Sequence, residues 1–199
     1  MHKIGIVGRA YKNKDDQDII QTHDAVRRMI NAYNDLVCIT ILPTEDIRYL
    51  DNLNGIDKVN ENKLNKVLDM CDGFIVPGGT YSFNLDEYVI NYAVNNNKPL
   101  LAICLGFQAL CSMNAKVRDA FDMTTKHDNH HGKPDEYLHI VSIKGNTLLS
   151  SIIGKDRIAV NSLHHDIVDF EFNNLIVNAI SDDGIIEGVE HPDKKFIMG

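Results

Sequence analysis

An apolar, strand-like run ends in a cysteine and turns through a glycine into a helix-like segment at Pro99-Leu-Leu-Ala-Ile-Cys104-Leu-Gly106-Phe-Gln108. That arrangement suits a nucleophile elbow. The side chain at a strand-to-helix turn is lifted out of the sheet, and the N–H of the next residue points at a developing oxyanion. A thiol there also faces the positive end of the helix, the setting that favours a reactive thiolate. The competing role for Cys104 is to fill a core as a small apolar group, the usual state of free cysteine. Its place directly before the Leu-Gly turn favours the nucleophile. A second feature lies one strand earlier. Pro77-Gly78-Gly79 follows an apolar run, and paired glycines let backbone approach a substrate and turn N–H groups inward, as an oxyanion hole requires.

The elements that must hold these residues alternate over the first half of the chain. Lys3 to Val7 and Val37 to Leu42 read as strands, the second closed by Pro43. Between them Ile19, Ile20, Val26, Met29, Ile30 and Tyr33 recur at helical spacing. Leu64, Val67 and Leu68 give a short helix, Gly73 to Gly79 a third strand running into a glycine turn, Asp86 to Asn96 a helix, and Leu100 to Cys104 a fourth strand. Such alternation implies parallel strands joined by helical crossovers. The second half differs. The stretch 120–136 is polar and histidine-rich and reads as a loop, followed by strands near 138–143, 158–161, 175–179, 185–189 and 196–198, with a short helix at 147–153. No repeat, low-complexity tract or linker interrupts the chain, so a single domain is expected.

Composition narrows the function classes. The 199 residues are 44% hydrophobic and 24% charged, ordinary for a globular protein, with a net charge of -8. Without a basic stripe, a nucleic-acid partner is not expected. No signal peptide or membrane-length apolar run is visible, and four cysteines lack the density of a disulfide framework. A cytoplasmic setting, with no membrane partner, is the resulting expectation.

Taken together, Pro77-Gly-Gly79 and Ala102-Ile-Cys104-Leu-Gly106-Phe-Gln108 resemble the class I glutamine amidotransferases. Val160-Asn-Ser-Leu-His164-His165-Asp166 and Asp183-Gly-Ile-Ile-Glu187-Gly-Val-Glu-His-Pro192 are similar to motifs of the gamma-glutamyl-gamma-aminobutyrate hydrolase branch. The resemblance implies an α/β fold, a flavodoxin-like three-layer sandwich with a mostly parallel central sheet. It implies that Cys104 attacks the side-chain amide of glutamine or a gamma-glutamyl amine and that water then hydrolyses the thioester. Gly79 and Leu105 would supply the oxyanion-hole N–H groups. Gly78, Gln108, Asn161, Ser162, His164 and His165 would line or brace the substrate pocket. The partner would be a small gamma-glutamyl molecule, with no cofactor; a homodimer or a synthetase partner stays open. The alternatives are a glutaminase subunit delivering ammonia to a synthetase, or a non-catalytic gamma-glutamyl-binding protein.

Departures from the branch are visible. Leu105 stands where arginine is frequent and Asp166 where glutamine is usual, and Thr80 to Asn84 runs straight into a helix. The family's Trp-His-Pro-Glu motif would fall beyond Gly199, which makes an incomplete domain with impaired hydrolysis the expectation. His191-Pro192-Asp193 imitates that motif but precedes the final strand. Lys126 to His131, with His139, lacks regular zinc spacing and reads as a solvated loop, so no metal is expected. Gly5-Ile-Val-Gly8 is too short for a dinucleotide fingerprint.

Overall fold

A computed structural model describes residues 1–42, 47–49, 55–57, 60–80, 84–116, 125–126, 130, 132–133, 136–169 and 171–199. Pro43, Tyr81 to Phe83, His127 and His131 lie outside the described residues, as does most of the segment 120–136. The chain divides into two compact units, Met1–Ala109 and Leu110–Gly199.

The first unit is built on a parallel sheet. Its elements are β1 (His2–Val7), β2 (Arg9–Lys12), β3 (Asp18–Gln21), α1 (Asp24–Asn31), β4 (Leu36–Ile41), β5 (Ile47–Tyr49), β6 (Gly55–Asp57), α2 (Glu61–Leu68), β7 (Gly73–Val76), α3 (Asn84–Asn95), β8 (Leu100–Ala102) and α4 (Leu105–Met113), whose last residues pass into the second unit. Strand β1 pairs in parallel with β4 on one side and β7 on the other, and β7 pairs in parallel with β8. Ile6, Ile30 and Ile75 form a core with Ile4, Val26, Leu36, Cys38 and Leu101 against them. Helix α2 starts at Asn60, whose side chain accepts from the Lys63 N–H, and buries Leu64 and Leu68. Its far end is closed by Lys98, whose ammonium donates to the carbonyls of Leu68 at 2.9 Å and Cys71 at 2.6 Å. Carbonyls left over at a helix end need such donors.

One expected helix is corrected. Ile19 and Ile20 lie in β3, which forms an antiparallel hairpin with β2, and only the segment from Asp24 is helical. Local turn chemistry overrode the spacing. Asn13 Oδ1 accepts from the N–H groups of Asp15 and Gln17, both at 2.9 Å, and Asp16 adopts a φ of 58°. Tyr33 and Met29 are exposed, outside the core that their spacing suggested.

The second unit is antiparallel. It comprises β9 (Thr125–Lys126), β10 (His139–Ile143), α5 (Leu148–Ile153), β11 (Arg157–Val160), β12 (Asp166–Ile167), β13 (Ile176–Ser181), β14 (Ile186–Glu190) and β15 (Ile197–Met198). Strand β10 lies between β11 and β13, and β14 lies between β13 and β15. Val141, Ile143 and Ala179 make a separate core under α5. That short helix carries a Thr147–Ser150 capping box and ends on Gly154 at a φ of 64°, a left-handed position that glycine occupies freely. The buried Glu190 carboxylate accepts from the N–H groups of Leu148 and Leu149, at 2.7 and 3.0 Å. No helix of the described residues is long and apolar enough to cross a membrane.

Candidate active site

Cys104 sits between β8 and α4 with a φ of 53°. Among the described residues, the other non-glycine positions at positive φ are Asp16, Asn97 and Asn146, types that tolerate the left-handed region through local hydrogen bonds. Cysteine has no such compensation, so this turn carries strain of order 1–3 kcal/mol. The first turn of α4 holds that strain in place. The Gln108 N–H donates to the Cys104 carbonyl at 2.9 Å, and Gly106 lies so close to β7 that a Cβ there would overlap the Val76 carbonyl. The result is an exposed thiol at the head of α4. Cys71 and Cys111 are buried and Cys38 is half-buried, and burial pushes all three of those thiols up.

Leu105 is the first residue of α4, so its N–H belongs to the donors that a helix leaves without an intrahelical acceptor. Its side chain is buried, which anchors the turn. Gln108 is buried one turn further on. Across from the elbow, a Cβ placed on Gly78 would stand 3.1 Å from Cys104 Cβ and 3.4 Å from its Sγ. A side chain at this position would crowd the Cys104 side chain unless it gave way by a few tenths of an ångström.

The loop is held by a residue that sequence reasoning missed. Arg9, buried at the start of β2, donates from Nε to the Gly78 carbonyl at 3.0 Å and from Nη2 to the Pro77 carbonyl. Its Nη1 meets Asp86 Oδ1 of α3 at 2.6 Å, and both side chains are almost fully buried. Gly78 C=O and Gly79 N–H belong to one planar peptide, so they point in opposite directions. By drawing the carbonyl toward itself, Arg9 turns the Gly79 N–H the other way. A Cβ on Gly79 would sit 2.9 Å from Arg9 Cδ, so the loop rests directly on this side chain. A cation placed straight after the apolar strand was the available signal. Its partner lies 77 residues away, beyond the reach of any local pattern.

In the second unit, Asn161 and His165 are exposed, while Ser162 is buried and shares a 2.6 Å hydrogen bond with His139 Nε2. His164 lies with its Nε2 3.7 Å from Glu187 Oε2, and the Glu187 carboxylate raises the His164 pKa against the opposing effect of burial. Burial works to raise Glu187, but the rings of His164, His130 and His139 together hold its carboxyl below the usual range. The Ser181 hydroxyl and then His130 bring Asp183 down to about 2. His130 corrects the solvated-loop reading: only 1% of it is exposed, and its Nε2 lies 3.0 Å from Asp183 Oδ2. Its two ring nitrogens meet carboxylates of the turn before β14 and of β14 itself, Asp183 and Glu187. His191 stands before β15, with its Nδ1 accepting from the Asp193 N–H at 3.1 Å.

The family model described as peptidase C26 matches residues 83–199. Protein NtpR of Enterococcus hirae is 35% identical over 114 residues, covering 53% of this chain and 46% of that protein. CTP synthase of Borreliella afzelii is 31% identical over 182 residues, covering 75% of this chain and 34% of the synthase. The chain thus spans less than half the length of either. Among solved structures, the glutaminase domain of Trypanosoma brucei CTPS with bound acivicin superposes with a TM-score of 0.68 at 19% identity, over 100% of this chain and 84% of that one. A glutamine amidotransferase from Thermotoga maritima gives 0.58 at 14% identity, over 96% and 71%. These likenesses establish an α/β, flavodoxin-like fold of the glutamine amidotransferase kind. With its family model covering more than half of the residues, the chain belongs to the peptidase C26 family, of the class I glutamine amidotransferase-like type.

Proposed function

We propose that this chain is a glutaminase-type domain in which Cys104 cleaves the side-chain amide of glutamine or of a gamma-glutamyl amine. The observation that carries the reading is the strained turn at Cys104, which presents the one exposed thiol of the four at the head of a helix and against Gly78. In the reaction the thiolate adds to the amide carbon. The Gly79 and Leu105 N–H groups receive the oxyanion, the amine leaves with a proton, and water releases glutamate from the thioester. In this reading Gly78 and Gln108 contact the glutamyl chain; the resemblance also implies a substrate-lining or bracing role for Asn161, Ser162, His164 and His165.

A second reading concerns where the ammonia goes. The similarity to CTP synthases supports a domain that supplies a synthetase partner, whereas the Asn161 to His165 motif supports direct hydrolysis of gamma-glutamyl amines. Turnover of glutamine and of a panel of gamma-glutamyl amines, followed by glutamate release, separates the two. Preference for the amines supports the stand-alone hydrolase, and preference for glutamine supports the ammonia supplier. Absence of covalent labelling of Cys104 by a glutamine-derived electrophile, in a folded sample, overturns both.

A further inference from the structure

We propose that His130, His139 and Glu187 of the second unit form a binding site for one divalent transition-metal ion of the zinc type. Each offers one ligand atom, and the three atoms lie within 4.8 Å of one another. His130 Nδ1 is 2.8 Å from Glu187 Oε1, and the His130 and His139 rings are 4.1 Å apart. Two imidazoles and a carboxylate are the donor set that zinc and its first-row neighbours favour.

The surrounding hydrogen bonds engage one nitrogen of each ring and leave the other beside Glu187. Asp183 Oδ2 lies 3.0 Å from His130 Nε2 and holds that side of the ring, while Glu187 Oε1 lies 2.8 Å from Nδ1. A metal ion would bind there by displacing any proton on Nδ1. On the next ring, His139 Nε2 is engaged by Ser162 Oγ at 2.6 Å, which leaves Nδ1 facing inward. His139 Nδ1 and Glu187 Oε1 are buried and have no hydrogen bond among the described residues. Buried polar atoms without a hydrogen bond are costly, and a cation between them would satisfy them. Metal-bound histidines characteristically hold their other nitrogen to a carboxylate or hydroxyl, the part played here by Asp183 and Ser162.

The site draws its ligands from β10, β14 and the turn at residue 130, so a bound ion would clamp three separate parts of the second unit. Through Ser162 it would also steady the segment leading to His164. No step of the amide hydrolysis passes through it, and its test is independent of turnover.

The experiment uses the full chain, stripped with a chelator and then titrated with Co²⁺ and Zn²⁺. One equivalent of Co²⁺ should produce the visible absorption of a nitrogen–oxygen site, and one equivalent of Zn²⁺ should bleach it. Zn²⁺ should also raise the melting temperature with concentration, as any ligand of the folded state does. H139Q and E187Q should each weaken binding by at least the roughly 10–100-fold that loss of even an outer partner costs. Circular dichroism of the metal-free variants checks that they fold, and the wild-type titration stands whether or not they do. Absence of a stoichiometric Co²⁺ band in the wild type overturns the proposal. So does undiminished affinity in a folded H139Q or E187Q, which would place the ion elsewhere.

Discussion

In the first unit the buried guanidinium of Arg9 finds an acceptor at each of three nitrogens: the carbonyls of Pro77 and Gly78 and the carboxylate of Asp86. In the second unit the buried groups are ring nitrogens and carboxylate oxygens, with His130 and His164 gathered around Glu187 and His130 also against Asp183. The first arrangement supplies its own cation. It converts burial into geometry, because each hydrogen bond from Arg9 to a carbonyl fixes a peptide of the loop that faces Cys104. The second is rich in acceptors, and the balance of charge there depends on protons or on an added ion. Burial alone therefore does not say what a charged group is for. The count of donors against acceptors around it does.

Replacing Cys104 by Ala separates the chemistry from the frame. Turnover of any gamma-glutamyl amide should fall by on the order of 10⁴-fold or more, with the melting temperature nearly unchanged. Peptide mapping after limited alkylation should show Cys104 labelled first in the wild type. Faster labelling of Cys38 or Cys71 in the folded protein would break the elbow assignment.

Arg9→Met is the direct test of the first half of the comparison. It leaves Asp86 buried without its cation, which costs about 3–5 kcal/mol of stability. It also frees the Gly78–Gly79 peptide, so kcat should drop by roughly 10²-fold, the cost of losing one oxyanion donor, with KM moving less. Asp86→Asn keeps an acceptor for Arg9 and should retain most of the kcat while losing stability. A variant at Arg9 that loses stability but keeps full kcat would reduce the residue to a structural brace.

Gly106→Ala pushes a methyl group into the Val76 carbonyl, so α4 must move off β7. The expected loss is about 1–3 kcal/mol, with kcat lowered as the elbow shifts. Thermal unfolding and glutamate release measured on the same sample check both parts. The smallest effect belongs to the second unit. Thr147→Ala removes the capping box of α5 and should cost about 1 kcal/mol without altering Cys104 alkylation. A change in that alkylation would mean that the second unit controls the elbow.

Reading the residues in order recovered the local features. The strand-to-helix turn at Cys104, the glycine loop after β7 and the strands of the second half are set by neighbours within a few positions, and the parallel pairing of the first four strand runs follows from their alternation with helices. Where a local rule failed it lost to another local rule, as when the Asn13 to Gln17 turn drew Ile19 and Ile20 into a hairpin.

The sequence by itself determined which residues could carry the chemistry, because hydrophobic period and glycine placement act over one or two turns of chain. Tertiary structure decided which buried charges meet. Arg9 and Asp86 stand 77 positions apart, and His130 and Asp183 stand 53 apart. No periodicity spans such distances. Their pairing is set when packing removes water and each buried charge must settle beside whatever the fold has brought to it.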